Sequence, residues 1–381
     1  MKAGAIQATA GAGSLVAVTY TPVLARDLLG ADEFFVTLLV ASYATASFVS
    51  SYLFGRAGDI YERRTILRIG LILSVISFGV LLLAYDQTML YFVRVLNGFS
   101  IGMYPGALAA YAYETHMKMG RFASFGALGW GLGTAFAGYA AIFDLRLAFA
   151  AASALFFFAF LSAMTLPKVE RVRIAVPLFP IETLRRNFPV YAAFLIRHTS
   201  ASAVWALWPL FLIQIGGDYL MIGIVQGVNS LAQVVFMLTL ADRVDCRVLI
   251  SLGLTSSIVC FLWFMLVQNI IEILPSQILL GFAWACLYGG SLRYVTERNQ
   301  ERATAVGLLQ SVQALAGMLG PICAALIFSV WNNYMPIMVF GIVMSALAFL
   351  VFLVLGRNLS RTVLPAALSP TGPEQIERSA G

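Results

Sequence analysis

The sequence predicts an all-α membrane protein, with twelve transmembrane helices arranged as two pseudo-symmetric six-helix bundles. Three observations predict it. The 381-residue chain is 60% hydrophobic and 11% charged, with a mean hydropathy of +0.87, whereas a water-soluble domain carries about a quarter charged residues. Its Lys and Arg fall almost wholly on one side once the apolar runs are made to alternate. A single register of 183 residues then superimposes charged and glycine positions from two distant regions.

Apolar runs of about twenty residues, long enough to cross a hydrocarbon core of roughly 30 Å, recur from end to end. They fall at about 3–25, 34–54, 65–85, 88–113, 122–143, 147–166, 189–215, 219–241, 248–268, 273–295, 303–330 and 334–356. Lipid offers the backbone no hydrogen-bond partner, so these runs are read as helices. The first is too long for a signal peptide and leads to no small-residue cleavage site. The connections are short and punctuated by Gly, Asp, Asn and Pro. The expected division is a bundle over 1–166, a middle loop over 167–188, a second bundle over 189–356 and a disordered tail over 357–381.

With the N-terminus in the cytoplasm, cytoplasmic segments hold 20 of the 24 Lys and Arg, and the outer loops hold only Arg26 and Arg146. Arg94 and Arg197 lie within spans. This is the positive-inside pattern of an even number of spans with both termini in the cytoplasm. The net charge of +6 is therefore read as topology, and no nucleic-acid partner is expected. The four cysteines, Cys246, Cys260, Cys286 and Cys323, are scattered without metal-ligand spacing and read as small packing residues.

The shift of 183 places Asp59 on Asp242, Glu62 on Asp245 and Arg64 on Arg247. It also places Gly98 on Gly281, Gly106 on Gly289, Tyr111 on Tyr294 and Glu114 on Glu297. Two duplicated halves put a substrate site near the bilayer midplane, where they meet.

The segment "GRAGDIYERR" (Gly55 to Arg64) packs five charges into a turn between spans 2 and 3. It resembles the loop signature of the major facilitator superfamily, G-x-x-x-D-x-x-G-R-K/R. Gly55, Asp59, Arg63 and Arg64 match, while Ile60 and Glu62 depart from it. "ADRVDCR" is similar to its degenerate second copy, and "RVLNGFSIG" in span 4 resembles the family's R-x-x-x-G-x-x-x-G. The resemblance implies two rigid halves that expose a central site to each side of the membrane in turn. It implies gating roles for Gly55, Asp59, Arg63, Arg64, Asp242 and Arg247. Asp59 would bond to, or face, a helix N-terminus of the other half, where a carboxylate is favoured by about 0.3–1 kcal/mol. Topology anchoring by the same charges is the alternative reading. The glycine-rich Gly-Pro motif of the family's antiporters is absent from span 5, "GALGWGLG". Spans 6 and 12 are nearly featureless and suit a lipid-facing place.

Polar residues inside spans are costly and face the bundle interior. At 100° per residue, Arg94, Asn97, Tyr104 and Tyr111 share one face of span 4, and Arg197, His198, Trp205 and Trp208 share one face of span 7. Span 1 aligns Gln7, Ser14 and Thr21; span 8 aligns Gln226, Asn229 and Gln233; span 10 aligns Gln277, Trp284, Tyr288 and Ser291; span 11 aligns Gln310 and Gln313. The expected substrate residues are Arg94, Asn97, Tyr104, Arg197, Trp205, Trp208, Asn229, Gln233, Tyr288 and Gln310. Structural roles are the alternatives: a carbonyl or amide partner for Arg94, ordinary packing for the two tryptophans. His198, Glu114 and Asp27 are the candidates for proton coupling. For these a satisfied buried histidine, a gating ion pair and a helix cap are the alternatives.

No Asp or Glu lies in the middle of any span. A pump for cations needs a buried carboxylate, so an anionic or neutral polar-aromatic solute is expected. No G-x-x-x-x-G-K-[ST] sequence or nucleotide-binding domain is present, which leaves a solute or proton gradient as the driving force. A multidrug or metabolite exporter is the alternative within the class, and a transporter-like membrane sensor is the alternative outside it. No paired carboxylates, nucleophile–base set or histidine cluster shares one membrane depth, so no enzyme activity, metal or cofactor is expected. The expected partners are a small molecule, the lipid of the cytoplasmic membrane and protons, with the protein acting as a monomer.

Overall fold

The computed structural model describes residues 1–169 and 174–358. Part of the expected middle loop and all of the expected tail beyond Asn358 lie outside the described residues. The described chain forms thirteen α-helices: α1 (Lys2–Val23), α2 (Glu33–Ile60), α3 (Arg63–Val80), α4 (Gln87–Met103), α5 (Pro105–Glu114), α6 (Met119–Phe143), α7 (Leu145–Met164), α8 (Ile181–Gln214), α9 (Tyr219–Thr239), α10 (Cys246–Leu266), α11 (Ile273–Glu297), α12 (Arg302–Trp331) and α13 (Met335–Leu355). Among the described residues, nine helices are long and apolar enough to cross a membrane.

Helices α4 and α5 together make one span, so the chain has the twelve spans expected. The break falls at Tyr104, directly before Pro105. Proline has no N–H to donate, and its ring disfavours helix in the residue before it. Two further boundaries differ from expectation. The charged stretch 55–64 is mostly helix, because α2 runs to Ile60 and α3 begins at Arg63. Only Tyr61 and Glu62 turn the chain. Helix α8 begins at Ile181, inside the stretch expected as middle loop; its first turns carry Arg185 and Arg186, which lowered their apparent hydropathy.

Five helices share one starting device. Asp32, Asp86, Asp144, Asp218 and Asp245 precede α2, α4, α7, α9 and α10, and each side chain accepts a hydrogen bond from a first-turn N–H at 2.7–2.8 Å. Such caps are worth about 1 kcal/mol each. Several of the chain's scarce acids thus serve helix ends.

Helix α1 packs on α6 and α7, and α8 on α12 and α13, as the repeat requires. Register is preserved in detail. A Cβ at Gly129 or Gly133 would strike Ala8 or Ala12, and one at Gly320 would strike Thr199; each pair is 121 residues apart. The two bundles meet along α2–α12 and along α6–α9, contacts that the 183-residue shift exchanges. Phe157, Phe158 and Leu161 of α7, with Leu347, Leu350 and Val354 of α13, are exposed. Spans 6 and 12 therefore present their apolar side outward.

Candidate functional site

A cavity of about 400 Å³ lies between the bundles, lined by residues of α1, α2, α4, α5, α6, α8, α9, α11 and α12. Five of the ten expected substrate residues line it: Arg94, Tyr104, Gln233, Tyr288 and Gln310. So do Gln7, Ser14, Trp284 and Gln313, which the helix-face pattern had aligned. Tyr43 and Trp130 also line it and had not been singled out. Tyr43 lies one turn before Ser47, a cavity neighbour; that spacing was its available signal. Trp130 stands between Gly129 and Gly131, where small neighbours let a large ring project.

On the N-terminal bundle's side, the Arg94 guanidinium lies 3.9 Å from the centre of the Tyr43 ring. Its Nε and Nη1 are buried and have no hydrogen-bond partner. On the opposite side, the Trp284 and Tyr288 rings stack at 5.2 Å and 6°, and His198 leans on Trp284 at 5.1 Å. Gln310 donates to the Tyr288 hydroxyl at 3.2 Å. Among the described residues, no Asp, Glu or Lys lines the cavity.

The other five expected residues lie elsewhere. Asn97 is wholly buried on α4 with neither side-chain atom partnered. Asn229 sits behind Gln233, accepting its amide at 2.6 Å and donating to the Gln277 carbonyl at 3.3 Å. Arg197 does not line the cavity; it donates to the Ser257 hydroxyl of α10 at 2.9 Å, with its guanidinium 5.8 Å from the centre of the Trp284 ring. It precedes His198 by one residue, and a step of 100° sends the two side chains in different directions. Trp205 packs on Trp208, and Trp208 on Phe264, in a separate apolar cluster. Lying seven and ten residues beyond His198, they are roughly 10–15 Å further along the helix axis. A shared face does not imply a shared depth.

Of the proton-coupling candidates, His198 alone lines the cavity. Asp27 is exposed in the π-helical turn Leu24–Leu28 that follows α1. Glu114, at the end of α5, pairs with Arg63.

Of the expected gating residues, Gly55, Asp59 and Asp242 make contacts between the bundles, at the end of the molecule that carries the α2–α3 and α9–α10 turns. Asp59 is wholly buried. It accepts from the backbone N–H groups of Ala303 at 3.2 Å and Thr304 at 2.7 Å, from the Thr304 hydroxyl at 2.8 Å, and from Arg63 at 2.8 Å. It therefore caps the N-terminus of α12. Asp242 does the same for α6, accepting from the N–H groups of Gly120 at 2.7 Å and Arg121 at 3.0 Å. Each partner of Asp242 is 183 residues before the matching partner of Asp59. Gly55 lets α2 and α12 touch: a Cβ there would stand 2.7 Å from the Gly307 Cα and 2.9 Å from the Ala303 carbonyl oxygen. Arg64 pairs with Glu62 at 2.7 Å and donates to the Leu166 carbonyl at 3.0 Å. The hydrogen bond from Arg64 holds the Glu62 carboxyl below the usual carboxylate range. The N–H of Arg247, at the start of α10, is accepted by Asp245 at 2.8 Å.

Comparison with known proteins agrees with this architecture. The family model of the Major Facilitator Superfamily matches residues 4–297 and 190–375. The crystal structure of the human organic anion transporter MFSD10 (TETRAN) superposes with a TM-score of 0.73 at 16% identity, covering 93% of this chain and 99% of that one. A mutant of the nucleoside transporter NupG superposes with a TM-score of 0.69 at 13% identity, covering 93% and 98%. No curated protein sequence matches the chain. A broken span at the cavity wall, two bundles joined by exchanged helix caps and the family match together make this chain a multi-pass membrane transporter that belongs to the Major Facilitator Superfamily.

Proposed function

We propose that the protein is a secondary transporter of a small organic anion with a flat, unsaturated body, working by alternating access and coupled to protons. One observation carries this reading: Arg94 lines the cavity with two guanidinium nitrogens unpartnered, and no carboxylate faces it among the described residues. An Arg at mid-membrane costs about 2.5–3.5 kcal/mol on insertion scales. A carboxylate from the solute would supply the missing acceptor, in charge-assisted hydrogen bonds worth about 1.5–3 kcal/mol. The ring stack of Trp284, Tyr288 and His198 across the cavity suits a planar body. The neighbour MFSD10 is described as an organic anion transporter, and the chemistry of this cavity is compatible with such a solute.

The positive-inside pattern supports a cytoplasmic position for the contacts of Gly55, Asp59 and Asp242 between the bundles and for both termini. The two helix caps and the Gly55–Gly307 contact would then hold the inner face shut, and opening it requires both caps to release. This bias acts on a two-state equilibrium. The test is uptake into proteoliposomes under a pH gradient, with aromatic carboxylates and lipophilic cations as competitors. Competition by the carboxylates supports the proposal. Competition by cations alone overturns it.

A further inference from the structure

A second cavity, of about 550 Å³, lies at the end of the N-terminal bundle where α6 begins, and shares no lining residue with the cavity between the bundles. Its walls are the start of α1, the turn between α5 and α6, and the chain just after α7, where Leu166 and Pro167 lie. Lys2, His116, Lys118 and Arg121 line it, and no acidic residue does. Lys2 donates to the Thr165 carbonyl at 2.9 Å, and the Tyr111 hydroxyl donates to the Pro167 carbonyl at 3.1 Å. The side chains of His116, Lys118 and Arg121 meet no acceptor among the described residues. Nearby carboxylates are committed: Glu114 to Arg63, Asp242 to the N-terminus of α6.

The other bundle shows what this corner looks like when complete. The 183-residue shift takes Lys118 to Glu301, His116 to Asn299, Ala3 to Arg186 and Gly4 to Asn187. There, Glu301 accepts from Thr183 at 2.8 Å and from Arg186 at 3.2 Å. Asn187 and Asn299 exchange two hydrogen bonds of 3.0 Å. The C-terminal corner is thus filled and neutralised by its own anion. In the N-terminal corner a lysine stands in the place of that anion, and Ala3, which lines the cavity, stands in the place of Arg186; the space beside Gly4 is taken by the Phe125 ring. The duplicated framework is kept, while its carboxylate has been replaced by a cation beside an open space.

We infer that this corner binds a phosphate-bearing anion, which takes the place that Glu301 holds in the other bundle. Cations from α1, the α5–α6 turn and α6 converge from three directions, which suits the several oxygens of a phosphate. Such a group could come from an anionic lipid head group, since the corner lies at the membrane end bearing most of the basic residues, or from a soluble phosphate ester.

The test uses the full chain purified in a neutral detergent. Native mass spectrometry with phosphatidylglycerol against phosphatidylcholine reads lipid binding. Titration calorimetry with inorganic phosphate reads the soluble source. Binding of either probe that weakens by about tenfold or more in Lys118→Glu, and survives in Lys118→Arg, supports the site and identifies the source. Lys118→Glu reproduces the residue of the filled corner and is expected to fold; should it not, Lys118→Gln/Arg121→Gln replaces it. Failure of both probes to bind overturns the inference. So does binding that ignores these substitutions, or lipid binding that does not distinguish the two lipids when inorganic phosphate does not bind.

Discussion

Asp59 holds Thr304 twice, through the backbone N–H at 2.7 Å and through the hydroxyl at 2.8 Å. The repeat mate, Asp242, meets Arg121 at the matching place and accepts its backbone N–H at 3.0 Å. Asp59 also neutralises the buried Arg63, with which it pairs at 2.8 Å. The two caps are alike in plan and unequal in weight.

That inequality sets the first expectation. Asp59→Ala removes the α12 cap together with one of the two carboxylates that pair with the buried Arg63, the other being Glu114, and should lower stability by about 2–5 kcal/mol. Asp242→Ala removes a cap and should cost about 0.5–2 kcal/mol. Thermal unfolding of the purified variants measures the difference, and equal Tm losses would contradict the ranking. Asp59→Asn, at normal abundance, is expected to slow transport more than Asp242→Asn does.

The crossing of α2 and α12 gives a second. At Gly55 a methyl group would meet backbone atoms that cannot turn aside. Gly55→Ala should therefore destabilise the sealed state by about 1–3 kcal/mol. With the four native cysteines removed, a water-soluble thiol reagent should label Ala107→Cys, a buried position beside Gly58, faster in that variant. Gly223→Ala is the control, since nothing lies within 4 Å of its added Cβ.

At Arg94 the expectation concerns affinity. Arg94→Ala should weaken binding of an aromatic carboxylate roughly ten- to hundredfold, the equivalent of a charge-assisted hydrogen bond. Arg94→Lys should recover part of it, because an ammonium keeps the charge and loses the planar fork. Equilibrium binding of a labelled carboxylate decides this. An unchanged Kd in Arg94→Ala would remove Arg94 from the substrate site.

His198 lines the cavity against Phe194 and Trp284. His198→Gln keeps the size and a hydrogen-bonding group but cannot take up a proton. Carboxylate binding should persist, while the pH dependence of transport between about pH 5 and 8 is lost. A retained pH profile would move proton coupling to another group.

Trp208 is 4% exposed, and its ring centre lies 4.7 Å from that of Phe264. Trp208→Ala should cost about 3–5 kcal/mol of stability, whereas Trp208→Phe should leave the order of substrate preference untouched. A reordered preference in a stable Trp208→Phe variant would return the residue to the substrate site.

Residue patterns alone carried the architecture a long way. Hydropathy and the one-sided placement of Lys and Arg located twelve spans, because both follow from lipid as solvent rather than from tertiary detail. The shift of 183 aligned Asp59 with Asp242, and the family resemblance implied a helix N-terminus as the partner of Asp59; the matching cap made by Asp242 emerged only in the structure. The cavity was legible only in part. Period 3.6 identifies a face, yet it cannot say which neighbour that face meets or at what depth. Arg197 was therefore aimed at the cavity although it bonds Ser257, and Trp205 and Trp208 were carried along with it. Tyr43 escaped notice because a tyrosine in an apolar helix resembles packing until a cation is found against its ring.

The break at Tyr104 makes span 4 a jointed rod. Without an N–H on Pro105, the regular helical bond to the Ile101 carbonyl cannot form, so flexing there sacrifices nothing that a continuous helix would have to give up. Arg94 rides on the arm that packs against α2, and Glu114 on the arm that packs against α12 and grips Arg63. On the proposed reading, cargo and lock would hang from opposite sides of one elbow, and filling the cavity would be felt at the far end by turning a single piece of chain.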